Sequence, residues 1–154
     1  MAYEVVHFRD SDEIIKGKDM EKEVKAVVDH IDQMLQGSFT RKKELRPALQ
    51  QMGWRKDGTL EILEQRKYQY TGYKNRVALE ANFSYYEAIL GALFRLQIGY
   101  DKGRLDTGLV LLTGLRGRKT PYGSTVELVE WEVEHLFPTI SMPVSIVLFD
   151  ARLV

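Results

Sequence analysis

Between Met20 and Gln36, the apolar residues Val24, Val27, Val28, Ile31, Met34 and Leu35 recur at steps of three and four, and Gly37 follows as a stop. That spacing draws one stripe along a helix, which is expected to bury Val24, Val28, Ile31 and Leu35. A shorter helix is predicted over Leu45 to Met52, entered through Pro47 and ended by Gly53 and Trp54. Helical spacing returns over Tyr86 to Leu96, carried by Ile89, Leu90, Leu93 and Phe94, and again over Thr125 to Leu136. Leu60 to Tyr70 and Arg76 to Phe83 read as strands. They flank the turn-rich "TGYKN" with its Gly72 and Asn75, so a hairpin is expected. Gly108 to Leu115 is an apolar strand and Val144 to Phe149 a last one, while Ala2 to Phe8 alternates weakly and reads equally as a short strand or an extended arm.

Strands followed by helix, strand, helix and strand predict an α/β fold with a central mixed sheet flanked by helices. The chain shows no internal repeat, no low-complexity segment and no internal boundary, and one domain over residues 1–154 is expected; "TGLRGRKTPYGS" is the one long loop. With 154 residues and 44% hydrophobic positions, such a domain buries roughly two-thirds of its unfolded surface. It needs no staple.

Cysteine is absent, which excludes disulfide scaffolds, thiolate zinc sites and thiol nucleophiles. The first residues lack a charged start followed by an apolar core, and no apolar run approaches the ~20 residues of a membrane span, so a cytoplasmic location is expected. The balance of 22 basic and 22 acidic residues argues against coating nucleic acid by bulk charge. Local patches remain: "RKKELR" (Arg41 to Arg46) and "RGRK" (Arg116 to Lys119) read either as solvated faces or as phosphate contacts. His7, His30 and His135 share no ligand-like spacing, and Trp54 and Trp131 read as packing residues.

One stretch carries candidate chemistry. In "RVALEANFS" the alternation of a strand sets Val77, Leu79, Ala81 and Phe83 on one side and Glu80, Asn82 and Ser84 on the other. A carboxylate and an amide at i and i+2, with the Ala81 carbonyl between them, offer hard oxygens to a divalent ion and its water. An exposed polar face reads the same way from these residues alone.

The surrounding blocks add to this. "LQQMGW" (Leu49 to Trp54), "YKNRVALEANFSYY" (Tyr73 to Tyr86), "YDKGRLDTGLVLL" (Tyr100 to Leu112) and "YGSTVELVEWEVEHL" (Tyr122 to Leu136) resemble, in the same order, the BglII/BstYI branch of type II restriction endonucleases in the PD-(D/E)XK nuclease superfamily. The resemblance implies a restriction-endonuclease-like core that works as a symmetric homodimer on a short palindrome in double-stranded DNA. It also implies a magnesium-dependent phosphodiester hydrolase, in which manganese can substitute.

Position by position, Glu80 matches the family's metal-binding glutamate, and Asn82 stands where this branch has glutamine and the wider superfamily lysine; in the nuclease this implies, Glu80 would hold the metal with help from the Ala81 carbonyl, and Asn82 would position or polarise the attacking water. The family's other acidic ligand falls on Thr71, which is neutral, so Glu64 or Glu61 on the neighbouring strand is a candidate to replace it. A catalytically impaired homologue that acts in DNA binding or assembly is the alternative implied. For DNA, the resemblance implies contacts from Ser84, Tyr85, Arg116, Arg118, Lys119 and Ser124; Lys74 and Arg76 read as phosphate contacts or as ordinary edge-strand charges.

Overall fold

The structure, a computed structural model, describes residues 3–36, 43–63, 68–114 and 124–150. The described elements are β1 (Tyr3–Phe8), α1 (Ser11–Gly17), α2 (Glu21–Leu35), α3 (Leu45–Gln51), β2 (Gly72–Lys74), β3 (Val77–Ala81), α4 (Ala88–Asp101), β4 (Thr107–Gly114), α5 (Val126–His135) and β5 (Val144–Asp150). The strands form a five-stranded sheet in the order β1-β5-β4-β3-β2. β3, β4 and β5 run parallel, and β1 and β2 close the edges antiparallel. The mixed sheet flanked by helices is the predicted architecture. Every residue of β4 is buried, as a central parallel strand covered on both faces requires.

The period-two alternation distributes side chains to two cores. Ala78, Val110, Leu112, Ile146 and Leu148 face one core with Ile89, Leu93 and Leu96 of α4 and Val129 and Val133 of α5. On the other face, Val77, Leu79, Leu109, Leu111, Val147 and Phe149 meet Val27, Val28, Ile31 and Leu35 of α2 and Leu45 and Leu49 of α3. The stripe predicted for α2 is therefore the face it buries, with Val24 at its half-buried margin.

The hairpin differs from the expectation. Leu60 to Tyr70 is not a strand of the sheet; its described part holds a local bridge between Glu61 and Gln69, closed by Tyr70 N to Leu60 O (2.9 Å) and Ile62 N to Tyr68 O (3.0 Å). β2 lies instead inside the expected connector, and Lys74 pairs with Val77 across a two-residue turn. Asn75 and Arg76 both have positive φ, 48° and 63°, the left-handed pair that a tight hairpin needs to match strand twist. Asparagine takes that conformation readily, whereas arginine needs an anchor. Asp106 supplies it: its backbone N–H donates to Arg76 O at 2.8 Å, and its carboxylate accepts from Arg76 Nε and Nη2 at 3.0–3.2 Å.

Three smaller corrections stand beside this one. β3 ends at Ala81 rather than Phe83, because the chain turns there toward α4. Trp131 is not a packing residue; it is 58% exposed and stacks on His135, with ring centroids 4.0 Å apart. The helix α1, seven residues long, is too short for its apolar spacing to mark it in the sequence. Among the described residues, no helix is long and apolar enough to cross a membrane.

Candidate active site

Glu80 is the anomaly of β3. It points into the α4 side of the sheet, next in alternation to Ala78, and is 2% exposed. A carboxylate in such a place must be matched by donors or a counter-charge. Arg95, one side of α4, gives both: its Nε donates to Glu80 Oε1 in a short ion pair. The other oxygen, Oε2, accepts from Thr71 N at 3.1 Å, and the Thr71 hydroxyl in turn accepts from Ala81 N at 3.3 Å. Burial pushes the Glu80 carboxyl above the usual carboxylate range, while the charge and hydrogen bond of Arg95 and the donors of Thr71 pull it only part of the way back.

Beyond Ala81 the chain bends at once. Asn82 Oδ1 accepts from the backbone N–H groups of Ser84 (2.8 Å) and Tyr85 (3.0 Å), a side-chain turn that redirects the strand toward α4. This bend opens a cleft of about 380 Å³ lined by Lys43, Leu45, Arg46, Thr71, Ala81, Asn82, Phe83 and Ser84. Its cations come from the start of α3. Lys43 and Arg46 are exposed and make no ion pair among the described residues. Arg55 lies behind them, donating to Thr71 O at 2.6 Å; burial first, and then the charge of Arg46, lower its guanidinium pKa from the ordinary value. The cleft thus gathers cations around neutral polar groups, an arrangement suited to a phosphate-bearing ligand.

Ala81, Asn82 and Ser84 line one cleft with Thr71, whose amide also meets the Glu80 carboxylate, and Tyr85 is exposed at the bend. Lys74 and Arg76 are not part of this group: they sit at the opposite end of β3, where Lys74 pairs with Glu23 (3.2 Å) and Arg76 with Asp106. Ser124 is fully buried, its N–H donating to Thr113 O at 3.3 Å. Glu61 lies in the local bridge with Gln69 and does not line the cleft. Glu64, Arg116, Arg118 and Lys119 lie outside the described residues.

A divalent ion does not fit this set as it is arranged. Both Glu80 oxygens are engaged, one by a guanidinium, and the Asn82 carbonyl oxygen is committed to two backbone amides. Among the described residues, no group of three acidic or histidine side chains is placed to hold a metal. Hard cations draw their affinity from carboxylate charge, and one neutralised carboxylate supplies little.

The family model described as "Restriction endonuclease BglII/BglIII" matches residues 3–149. This chain belongs to that family. Its fold is that of BglII: the crystal structure of restriction endonuclease BglII complexed with a DNA 16-mer matches with a TM-score of 0.70 at 12% identity, covering 97% of this chain and 77% of that one. The crystal structure of free BglII matches with a TM-score of 0.61 at 14% identity, over 97% and 79% of the two chains. No curated protein matches the chain. Family and fold together support a DNA-cleaving function of the type II restriction kind, in a family that generally uses a divalent metal.

Sequence reasoning missed Arg95, Arg55 and the convergence of Lys43 and Arg46 on the cleft. Arg95 falls in a largely apolar helical run with no motif around it, and only the packing of α4 on β3 reveals its partner. The basic cluster "RKKELR" was visible, but its target was not.

Proposed function

We propose that this protein binds double-stranded DNA as a homodimer, with the backbone phosphates at the cleft beyond β3, and that it is a type II restriction endonuclease-like phosphodiesterase of low activity in magnesium. The observation that carries this reading is a cleft whose free cations are Lys43 and Arg46 and whose wall includes Thr71, the residue that hydrogen-bonds the buried Glu80. Those two side chains take phosphate oxygens; Ser84 and Tyr85, at the bend, face the same ligand. Arg116, Arg118 and Lys119 are assigned to base or phosphate contacts on the strength of the family resemblance. Glu80 is the acid on which hydrolysis depends, and the water attacks phosphorus to expel one ester oxygen. Low activity follows from charge: Thr71 is neutral and Glu80 is shared with Arg95. Leu90 and Phe94 on α4 and Trp131 on α5, each more than half exposed on helices of the same sheet face, are assigned to the dimer contact.

A non-cleaving DNA-binding homologue is the second reading, favoured by the same Glu80–Arg95 pair. A plasmid-nicking assay in magnesium and in manganese, on wild type, Glu80→Ala and Glu64→Ala, separates the two. Slow nicking lost in Glu80→Ala supports the phosphodiesterase, and equal loss in Glu64→Ala assigns Glu64 as the second acid. DNA retention in a gel shift with no nicking in either metal supports the second reading, and nicking undiminished in Glu80→Ala sinks the assignment of this site.

A further inference from the structure

We propose that Arg95 is the resident cation of this site, a guanidinium latch that closes Glu80 to divalent ions while the protein is free of DNA. The inference deepens the reading of Glu80 as the acidic residue of the site, but metal uptake is measured without DNA, so its failure is distinct from a failure of cleavage.

The geometry is specific. Arg95 grips Glu80 Oε1 through Nε, and the second oxygen is occupied by Thr71 N. The outer edge of the guanidinium lies back over its own helix at Gly91: a Cβ built there would stand 3.2 Å from Arg95 Nη1, and the nearest neighbours of that position are all Arg95 atoms. Glycine inside a helix costs about 1 kcal/mol relative to alanine. Here it leaves a bed for the guanidinium one turn away.

Electrostatics favours the latch. A divalent ion at Glu80 would stand close to the guanidinium, and their repulsion in a low-dielectric site offsets part of what the carboxylate offers the metal. A divalent ion therefore binds tightly only once Arg95 has left, and Thr71 brings no second negative oxygen to favour the exchange. Eviction is sterically open, since the Arg95 side chain is 41% exposed while that of Glu80 is 3% exposed. The group that leaves would be the arginine, drawn toward solvent or a phosphate, with Glu80 staying in place.

The test uses manganese alone and the DNA-free protein. Paramagnetic broadening of the Ala81 and Asn82 amide signals and the thermal shift with added Mn²⁺ are recorded for wild type, Arg95→Gln, Arg95→Lys and the double variant Arg95→Gln/Glu80→Gln. Wild type and Arg95→Lys should show neither effect at concentrations where Arg95→Gln shows both, an apparent affinity gain on the order of tenfold. The double variant should lose that gain. Wild-type broadening equal to that of Arg95→Gln would overturn the proposal. So would an Arg95→Gln protein, folded by its thermal melt, that stays closed to manganese. Should Arg95→Gln fail to fold, Arg95→Lys decides: uptake at Glu80 despite the retained charge overturns the latch, and continued exclusion supports it.

Discussion

Thr71 and Glu80 stand opposite each other beside the β2–β3 hairpin, the Thr71 amide donating to Glu80 Oε2 at 3.1 Å across nine positions of chain. The residue aligned with the family's missing acid is therefore in contact with the acid that remains. Thr71→Asp would place a second carboxylate there and repel Glu80 in the absence of metal. The expected result is a lower melting temperature without metal, restored by manganese, and nicking faster on the order of tenfold. A variant as slow as wild type in manganese would count against metal charge as the limit.

The pH dependence of stability should carry the mark of Glu80. Its folded-state pKa is raised, by burial first, so the native state holds the proton more tightly than the unfolded chain. The resulting stability is complete below the ordinary carboxylate pKa and is lost as pH rises through the folded value. Glu80→Gln removes that loss. Thermal melts of the two proteins from acid to neutral pH should therefore shift in favour of the variant as pH rises; parallel curves would contradict the burial argument.

Lys43 and Arg46 should act as phosphate contacts. Replacing both with alanine is expected to weaken binding across DNA sequences alike and to lower the slope of log affinity against log salt by about 2. Fluorescence anisotropy with a short duplex at several salt concentrations measures this. An unchanged slope would move the DNA elsewhere on the surface.

Gly99 of α4 faces Tyr70 so closely that an added Cβ would lie 1.9 Å from its hydroxyl and 2.7 Å from Leu105 Cδ2. Tyr70 is buried and its hydroxyl donates to Arg95 O at 3.4 Å, so it has little freedom to retreat. Gly99→Ala should cost about 1–3 kcal/mol, seen as a clear fall in melting temperature. A neutral substitution would mean that α4 slides easily on the sheet.

The dimer contact is tested at Leu90 and Phe94. Replacing them with Ser and Lys should leave the melting temperature of the fold near wild type, since both side chains are more than half exposed, and should shift sedimentation from dimer to monomer. Sedimentation unchanged by the double variant would remove α4 from the interface.

What the sequence by itself determined was local and periodic: the buried stripe of α2, the apolar run of β4, and the two-sided alternation of β3 that sets Glu80 apart from Val77 and Leu79. Such patterns are legible because a side chain's direction repeats every 3.6 or 2 residues whatever lies around it. Four ordered blocks also sufficed to point to the family. The tertiary structure alone decided the partners. Whether Glu80 would meet a metal, water or an arginine depended on how α4 packs across β3, fifteen residues away along the chain, and no local spacing encodes that contact. The hairpin register was decided there too: the anchor that holds Arg76 in a left-handed turn is Asp106, thirty residues on, and the side of the sheet that Lys43 and Arg46 reach was set by the docking of α3 on the β3 core.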